Sequence, residues 1–250
     1  MIRITPRFDG AVLHLLLDRP KANILDAAMI GALHQAISEA GPEVKLLVFE
    51  GAGRHFCFGA SVEEHQAEQA PAMLDAFHGL FHLLAERAIP TCAVVRGQCL
   101  GGGLELASWC TWIVASPEAK FGQPESKLAV FPPMASLLLP WRVGGATALD
   151  LCVSGRSISA KQAFRIGLIT TLVDDPTAWW EARYTEHLSA MSASSLRFTE
   201  RAARIELVHQ LHTHLPMLEQ LYIEELMATP DANEGIAAFL ERRTPEYTPR

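Results

Sequence analysis

The sequence predicts an α/β fold, and three observations lead to that class. Through the first two-thirds of the chain, short apolar runs bounded by Gly, Pro or charge alternate with segments of helical periodicity. No linker rich in Gly, Ser or charge, no low-complexity tract and no internal repeat interrupts the order. With 250 residues, 49% hydrophobic and 20% charged, the chain can bury a sizeable core without disulfide or metal staples.

Residues 1–7 lead directly into a strand-like run at 11–17, and further buried strands are expected at 45–49, 91–95 and 112–115. A helix follows the first run: Asp26 can cap it, and Met29, Leu33, Ala36 and Ile37 fall on one stripe. A second helix, at about 70–87, precedes Ile89-Pro90, where the proline ends it. Beyond about residue 145 helices dominate. Ser159 and Gln162 have the spacing of a capping box that opens a short helix stopping at Gly167, and 168–173 reads as one last strand. Residues 179–227 read as helix interrupted at Pro216, and 233–243 as a final helix before a Pro-rich end. The expectation is a core over residues 1–190 with a helical oligomerisation region over 191–250.

Lys plus Arg number 21 against 28 Asp plus Glu, a net charge of −7, so the average field opposes polyanionic polymers and nucleic acid is not an expected partner. Five cysteines without a CxxC pair read as reduced, structural thiols. No apolar stretch reaches the roughly 18 residues of a membrane span, and no signal-peptide pattern opens the chain. A soluble cytoplasmic protein is expected. His209, His212 and His214 lie on one helical stretch without an HExxH motif or a carboxylate partner, and they read as surface histidines with no metal site.

Three segments carry candidate chemistry. In the first, a buried strand runs through Arg96-Gly-Gln-Cys-Leu-Gly-Gly-Gly-Leu-Glu-Leu-Ala107 into an apolar helix bearing Glu105. Glycines there let a ligand approach the backbone, and first-turn amides favour negative charge, although such glycines also serve tight packing. No Lys-Ser or Lys-Thr follows, so this is not a P-loop. In the second, Phe121-Gly-Gln-Pro-Glu125 places another carboxylate near by, either as the partner of Glu105 in acid and base roles or as a solvated turn residue. In the third, the Gly59-Ala60 turn either turns an amide toward the same crevice or belongs to an ordinary loop.

Together with Arg19-Pro-Lys-Ala22, Phe56-Cys-Phe-Gly-Ala60 and the ending from Pro230 to Pro245, these segments resemble the enoyl-CoA hydratase/isomerase family, the crotonases, over nearly the whole chain. The resemblance implies a crotonase-like spiral of ββα units followed by a helical trimerisation region, assembled as a homotrimer or a dimer of trimers. It places the oxyanion donors on the amides of Ala60 and Gly102 and the catalytic carboxylates on Glu105 and Glu125. Retention of both carboxylates favours hydration; a double-bond isomerase and a non-catalytic acyl-CoA binding protein on the same fold are the alternatives. The resemblance implies no cofactor beyond the CoA of the thioester substrate.

The family commonly has Asp after the donor alanine and often a Lys two residues later; here Ser61 and Glu63 stand there, which leaves Lys21, beside Ala22, as the first candidate for CoA phosphate. Where many hydratases carry a glycine-rich run, this chain has Val130-Phe-Pro-Pro-Met-Ala-Ser136. Pro133 has no amide N–H, and Phe131, Pro132, Pro133 and Met134 are expected to form a rigid apolar wall suited to a bulky or cyclic acyl group. This segment and residues 22–26 resemble the branch of the family that hydrates cyclohexa-1,5-diene-1-carbonyl-CoA.

Overall fold

The computed structural model describes residues 2–248. Its strands are β1 (Ile2–Arg7), β2 (Val12–Leu17), β3 (Leu46–Gly51), β4 (Thr91–Val95), β5 (Gln98–Leu100), β6 (Trp112–Ala115), β7 (Lys120–Gly122), β8 (Ser157–Ser159) and β9 (Thr171–Leu172). The larger sheet has the order β1-β2-β3-β4-β6-β9; β1 and β2 are antiparallel and every other pair is parallel. The smaller sheet has the order β5-β7-β8. The helices are α1 (Ala27–Ser38), α2 (Ala70–Arg87), α3 (Gly102–Trp109), α4 (Pro133–Val143), α5 (Gly145–Ser154), α6 (Ala160–Arg165), α7 (Pro176–Arg183), α8 (Ala193–Ala203), α9 (Ile205–Gln220) and α10 (Pro230–Glu241).

A spiral results because each turn of chain gives one strand to each sheet and then a helix. β4 bends at Gly97 (φ +55°) into β5, and α3 follows. β6 and β7 repeat the step one rung further on, β7 lying parallel to β5. One rung earlier, β3 is followed by Cys57, which bridges to Cys99 of β5, and then by α2.

Parallel strands covered on both faces read as continuous apolar runs, and β4 is buried at all five positions. The strand period of two divides these residues between two clusters. Leu15, Leu47, Phe49, Ala93, Val95, Ile113 and Ala115 face the main core, whereas Val12, Leu46, Val48, Cys92, Val94 and Val114 meet Trp180 and Tyr184 on the far side. Leu207, Leu211, Leu215, Ala232 and Ile236 join the main core, so α9 and α10 pack on the spiral.

Local signals account for the helix starts. Asp26 Oδ1 accepts from the Met29 amide at 2.9 Å, and Met29, Leu33, Ala36 and Ile37 are buried. Ser159 and Gln162 form both halves of a capping box. Three sequence expectations are corrected. Pro216 does not interrupt its helix: one lost N–H is outweighed by the buried stripe of Leu207, Leu211 and Leu215, and α9 runs on to Gln220. The break falls earlier, where Ser192 caps α8. Pro133 and Met134, expected only as part of an apolar wall, open helix α4, with Pro133 in its first turn, where its missing N–H has no intrahelical role.

The five cysteines are free thiols, four of them buried. No helix among the described residues is long and apolar enough to cross a membrane.

Candidate active site

A cavity of about 760 Å³ opens where the two sheets, α2, α3 and α10 converge. Its floor is backbone. Gly59 and Gly101-Gly102 pack chain against chain: a Cβ added at Gly59 would stand 3.4 Å from the Gly102 nitrogen, and one added at Gly102 would stand 3.0 Å from the Ala60 nitrogen. Neither amide has an acceptor among the described residues, and Gly102 is the first residue of α3, where the helix leaves its N–H unused. Both N–H groups belong to residues that line the cavity, and the α3 dipole favours negative charge at its first turn.

The loop before them is held by Asn23, which is buried and adopts φ +49°, a region Asn tolerates. Its side-chain amide donates to the carbonyls of Ala52 (3.0 Å), His55 (2.9 Å) and Phe56 (3.2 Å), and its carbonyl accepts from the Arg19 amide at 3.1 Å. Asn23→Ala is expected to destabilise the fold by about 1–3 kcal/mol, because buried carbonyls lose their donor; urea unfolding measures it.

Glu105 sits in the first turn of α3, 4% exposed. Its Oε1 accepts from the Ala135 amide at 2.7 Å, and the Met134 amide also donates to the carboxylate. These are first-turn amides of α4, so a helix N-terminus faces Glu105. Burial nevertheless raises its pKa to about 7, against the two hydrogen bonds that favour the anion. Glu125 lies on the short 3-10 turn Pro124–Leu128, and its Oε2 is buried without a hydrogen-bond partner. Burial and the charge of Glu105 push Glu125 well above the usual carboxylate range. The two amides favour the anion at Glu105, while burial and the Glu105 charge favour the protonated form of Glu125.

The structure places Ala22, Ala60, Ser61, Gly102, Glu105, Glu125, Phe131 and Pro133 on the walls of this one cavity. Ser61 uses its amide on the Leu25 carbonyl (3.3 Å) and its carbonyl on His65 Nδ1 (2.7 Å). Lys21 is exposed, adopts φ +79°, and stands outside the wall beside Ala22. Met134 is a correction: its side chain is buried in the main core, and it serves the site through its backbone N–H.

Sequence reasoning did not reach the residues that close the cavity from the C-terminal helices. Tyr222, Phe239 and Arg243 line it, as do His78 and Lys127. Arg243 is paired with Glu234 and Glu241. His78 Nδ1 lies 2.6 Å from Glu219 Oε1. Only the buried stripe on α9 signalled that this segment turns inward.

Residues 7–250 match the family described as enoyl-CoA hydratase/isomerase. The chain is 50% identical over 244 residues to the cyclohexa-1,5-dienecarbonyl-CoA hydratase of Thauera aromatica, covering 97% of this chain and 95% of that one. It is 36% identical to a probable enoyl-CoA hydratase of Mycobacterium tuberculosis, covering 94% of each. The crystal structure of an enoyl-CoA hydratase from Mycobacterium avium subsp. paratuberculosis superposes with a TM-score of 0.86 at 27% identity, over 99% of this chain and 98% of that one. By sequence and by fold, the chain belongs to the enoyl-CoA hydratase/isomerase family.

Proposed function

We propose that the protein is an acyl-CoA hydratase, a hydro-lyase that adds water to a conjugated enoyl- or dienoyl-CoA thioester carrying a bulky or cyclic acyl group. The observation that carries this reading is the buried pair of carboxyls, one accepting from two backbone amides and one with an oxygen buried without a partner, beside two unused backbone N–H groups. The Ala60 and Gly102 amides hold the thioester oxygen as negative charge builds on it. Glu105 takes a proton from the attacking water, and Glu125 delivers its proton to carbon. Phe77, Val130, Phe131 and Pro132 give the acyl group a rigid apolar wall. The name of the Thauera relative supports a cyclohexadiene ring as that acyl group. CoA enters as part of the substrate, no other cofactor takes part, and Lys21 at the rim meets its phosphates.

We further propose that residues 191–250 are an assembly arm of a homotrimer or dimer of trimers, working in the cytoplasm. Phe198 (65% exposed) and Ile205 (73% exposed) flank a groove of about 720 Å³ between α2, α8 and α9, which supports this; the solution mass from sedimentation equilibrium checks it. The catalytic reading is tested by incubating the protein with a panel of linear and alicyclic enoyl-CoA thioesters in ¹⁸O water. A product carrying one solvent oxygen is expected. A shifted double bond without oxygen incorporation would show an isomerase, and binding without turnover a non-catalytic protein.

The carboxyl pair also sets a pH dependence. Activity needs Glu105 ionised and Glu125 protonated, so kcat/KM is expected to fall as pH drops through about 7, where Glu105 takes up a proton. It falls again at higher pH, where Glu125 loses its proton. The pH–rate profile of the wild type checks this bell shape.

A further inference from the structure

Tyr222 begins from a contradiction in energy. Its side chain is 1% exposed and its hydroxyl is buried with no hydrogen-bond partner among the described residues, although a buried hydroxyl normally finds one. The ring explains its own position: it packs edge-on to Phe131 with centroids 5.3 Å apart and lies 6.5 Å from His65. Phenylalanine would pack there equally well, so the oxygen needs a separate reason. Tyr222 lines the active-site cavity together with Glu125, whose Oε2 is likewise buried and unpartnered. The charges of Glu125 and Glu105 both reach the phenol, and with burial they raise its pKa, so it remains a donor at neutral pH.

We propose that Tyr222 is a third catalytic residue, donating a hydrogen bond to the oxygen of the attacking water from the α9 side of the cavity. This rests on the hydratase reading above. A water poised for addition has two hydrogens and two lone pairs. The two carboxyls account for the hydrogens, and one lone pair must point at the carbon under attack. The remaining lone pair needs a donor, and the Tyr222 hydroxyl is a donor from a lining residue that is buried without a partner among the described residues. In the step, the water oxygen bonds to carbon, one water proton passes to Glu105, and the Glu125 proton goes to the other carbon. Tyr222 keeps its proton throughout and remains hydrogen-bonded to the new hydroxyl.

The test compares wild type with Tyr222→Phe on the best thioester of the panel, reading kcat, KM and thermal midpoint together. A catalytic Tyr222 predicts a fall in kcat of about 10- to 100-fold. KM should stay within about twofold of wild type, because the thioester oxygen and the CoA moiety are held elsewhere. The midpoint should be unchanged or higher, because a costly unpartnered hydroxyl has been removed. Wild-type kcat in the variant would overturn the inference. So would a fall in kcat accompanied by a lower thermal midpoint, which marks a structural role. Absence of hydration by the wild type itself would overturn both this inference and the reading beneath it, whereas wild-type hydration with an unimpaired variant would overturn Tyr222 alone.

Discussion

Glu125→Gln is expected to lower kcat by about 10²- to 10⁴-fold, the range for removal of a positioned proton donor. The amide has the same shape and fits the same turn, but it has no proton of useful acidity to give to carbon. Glu105→Gln should fall as far for the opposite reason: its carbonyl still accepts from the Ala135 amide, yet it cannot take a proton from water. Steady-state kinetics on the pair measure both losses, and near-wild-type rates in either would remove that residue from the mechanism. A stability signature accompanies the kinetic one. The folded protein holds protons on these carboxyls that an unfolded chain releases near the ordinary value of 4.5. Between that value and the raised folded pKa, the native state binds more protons than the unfolded state, so stability falls as pH rises through the window. Glu105→Gln should flatten this decline, and urea unfolding at pH 5 and pH 8 would show it.

Gly101→Ala is expected to reduce kcat by about 10²-fold or more, comparable to loss of an oxyanion donor. Gly101 adopts φ +51° and ψ −129°, a conformation closed to most side chains. A Cβ there would also stand 2.7 Å from Glu125 Oε1. The substitution therefore twists the peptide that presents the Gly102 amide and pushes the acid aside in one step. Because strain at this turn is local, the variant should remain folded with little change in circular dichroism while losing turnover. Retained activity would show that neither the amide direction nor the acid position matters to the rate.

The sequence carried the elements whose signals are local. The Asp26 cap, the Ser159 and Gln162 box and the apolar run of β4 each require only neighbouring residues, and each is present where expected. Helix α4 was not legible locally, because Pro133 and Pro140 are poor helix formers in isolation. What makes α4 a helix is burial of Met134, Ala135, Leu137, Leu138 and Leu139 on one another and on the core, a tertiary fact. The cavity residues divide the same way. Glu105 betrayed itself as a carboxylate in an apolar helix, whereas Tyr222 follows 117 residues later on a helix whose inward face is fixed only by docking onto the spiral.

The backbone floor of the cavity has a consequence for how such a protein changes over generations. In the proposed reaction the groups that meet the thioester oxygen are the peptide N–H groups of Ala60 and Gly102, present whatever side chains surround them, provided the turn glycines persist. The wall proposed to meet the acyl group is built from side chains on separate elements, Phe77 on α2 and Val130 and Phe131 before α4. Mutation can therefore reshape which acyl group fits while the charge-stabilising floor is inherited intact. Selectivity and reactivity are separately heritable in this architecture, and a new substrate can be reached without passing through an inactive ancestor.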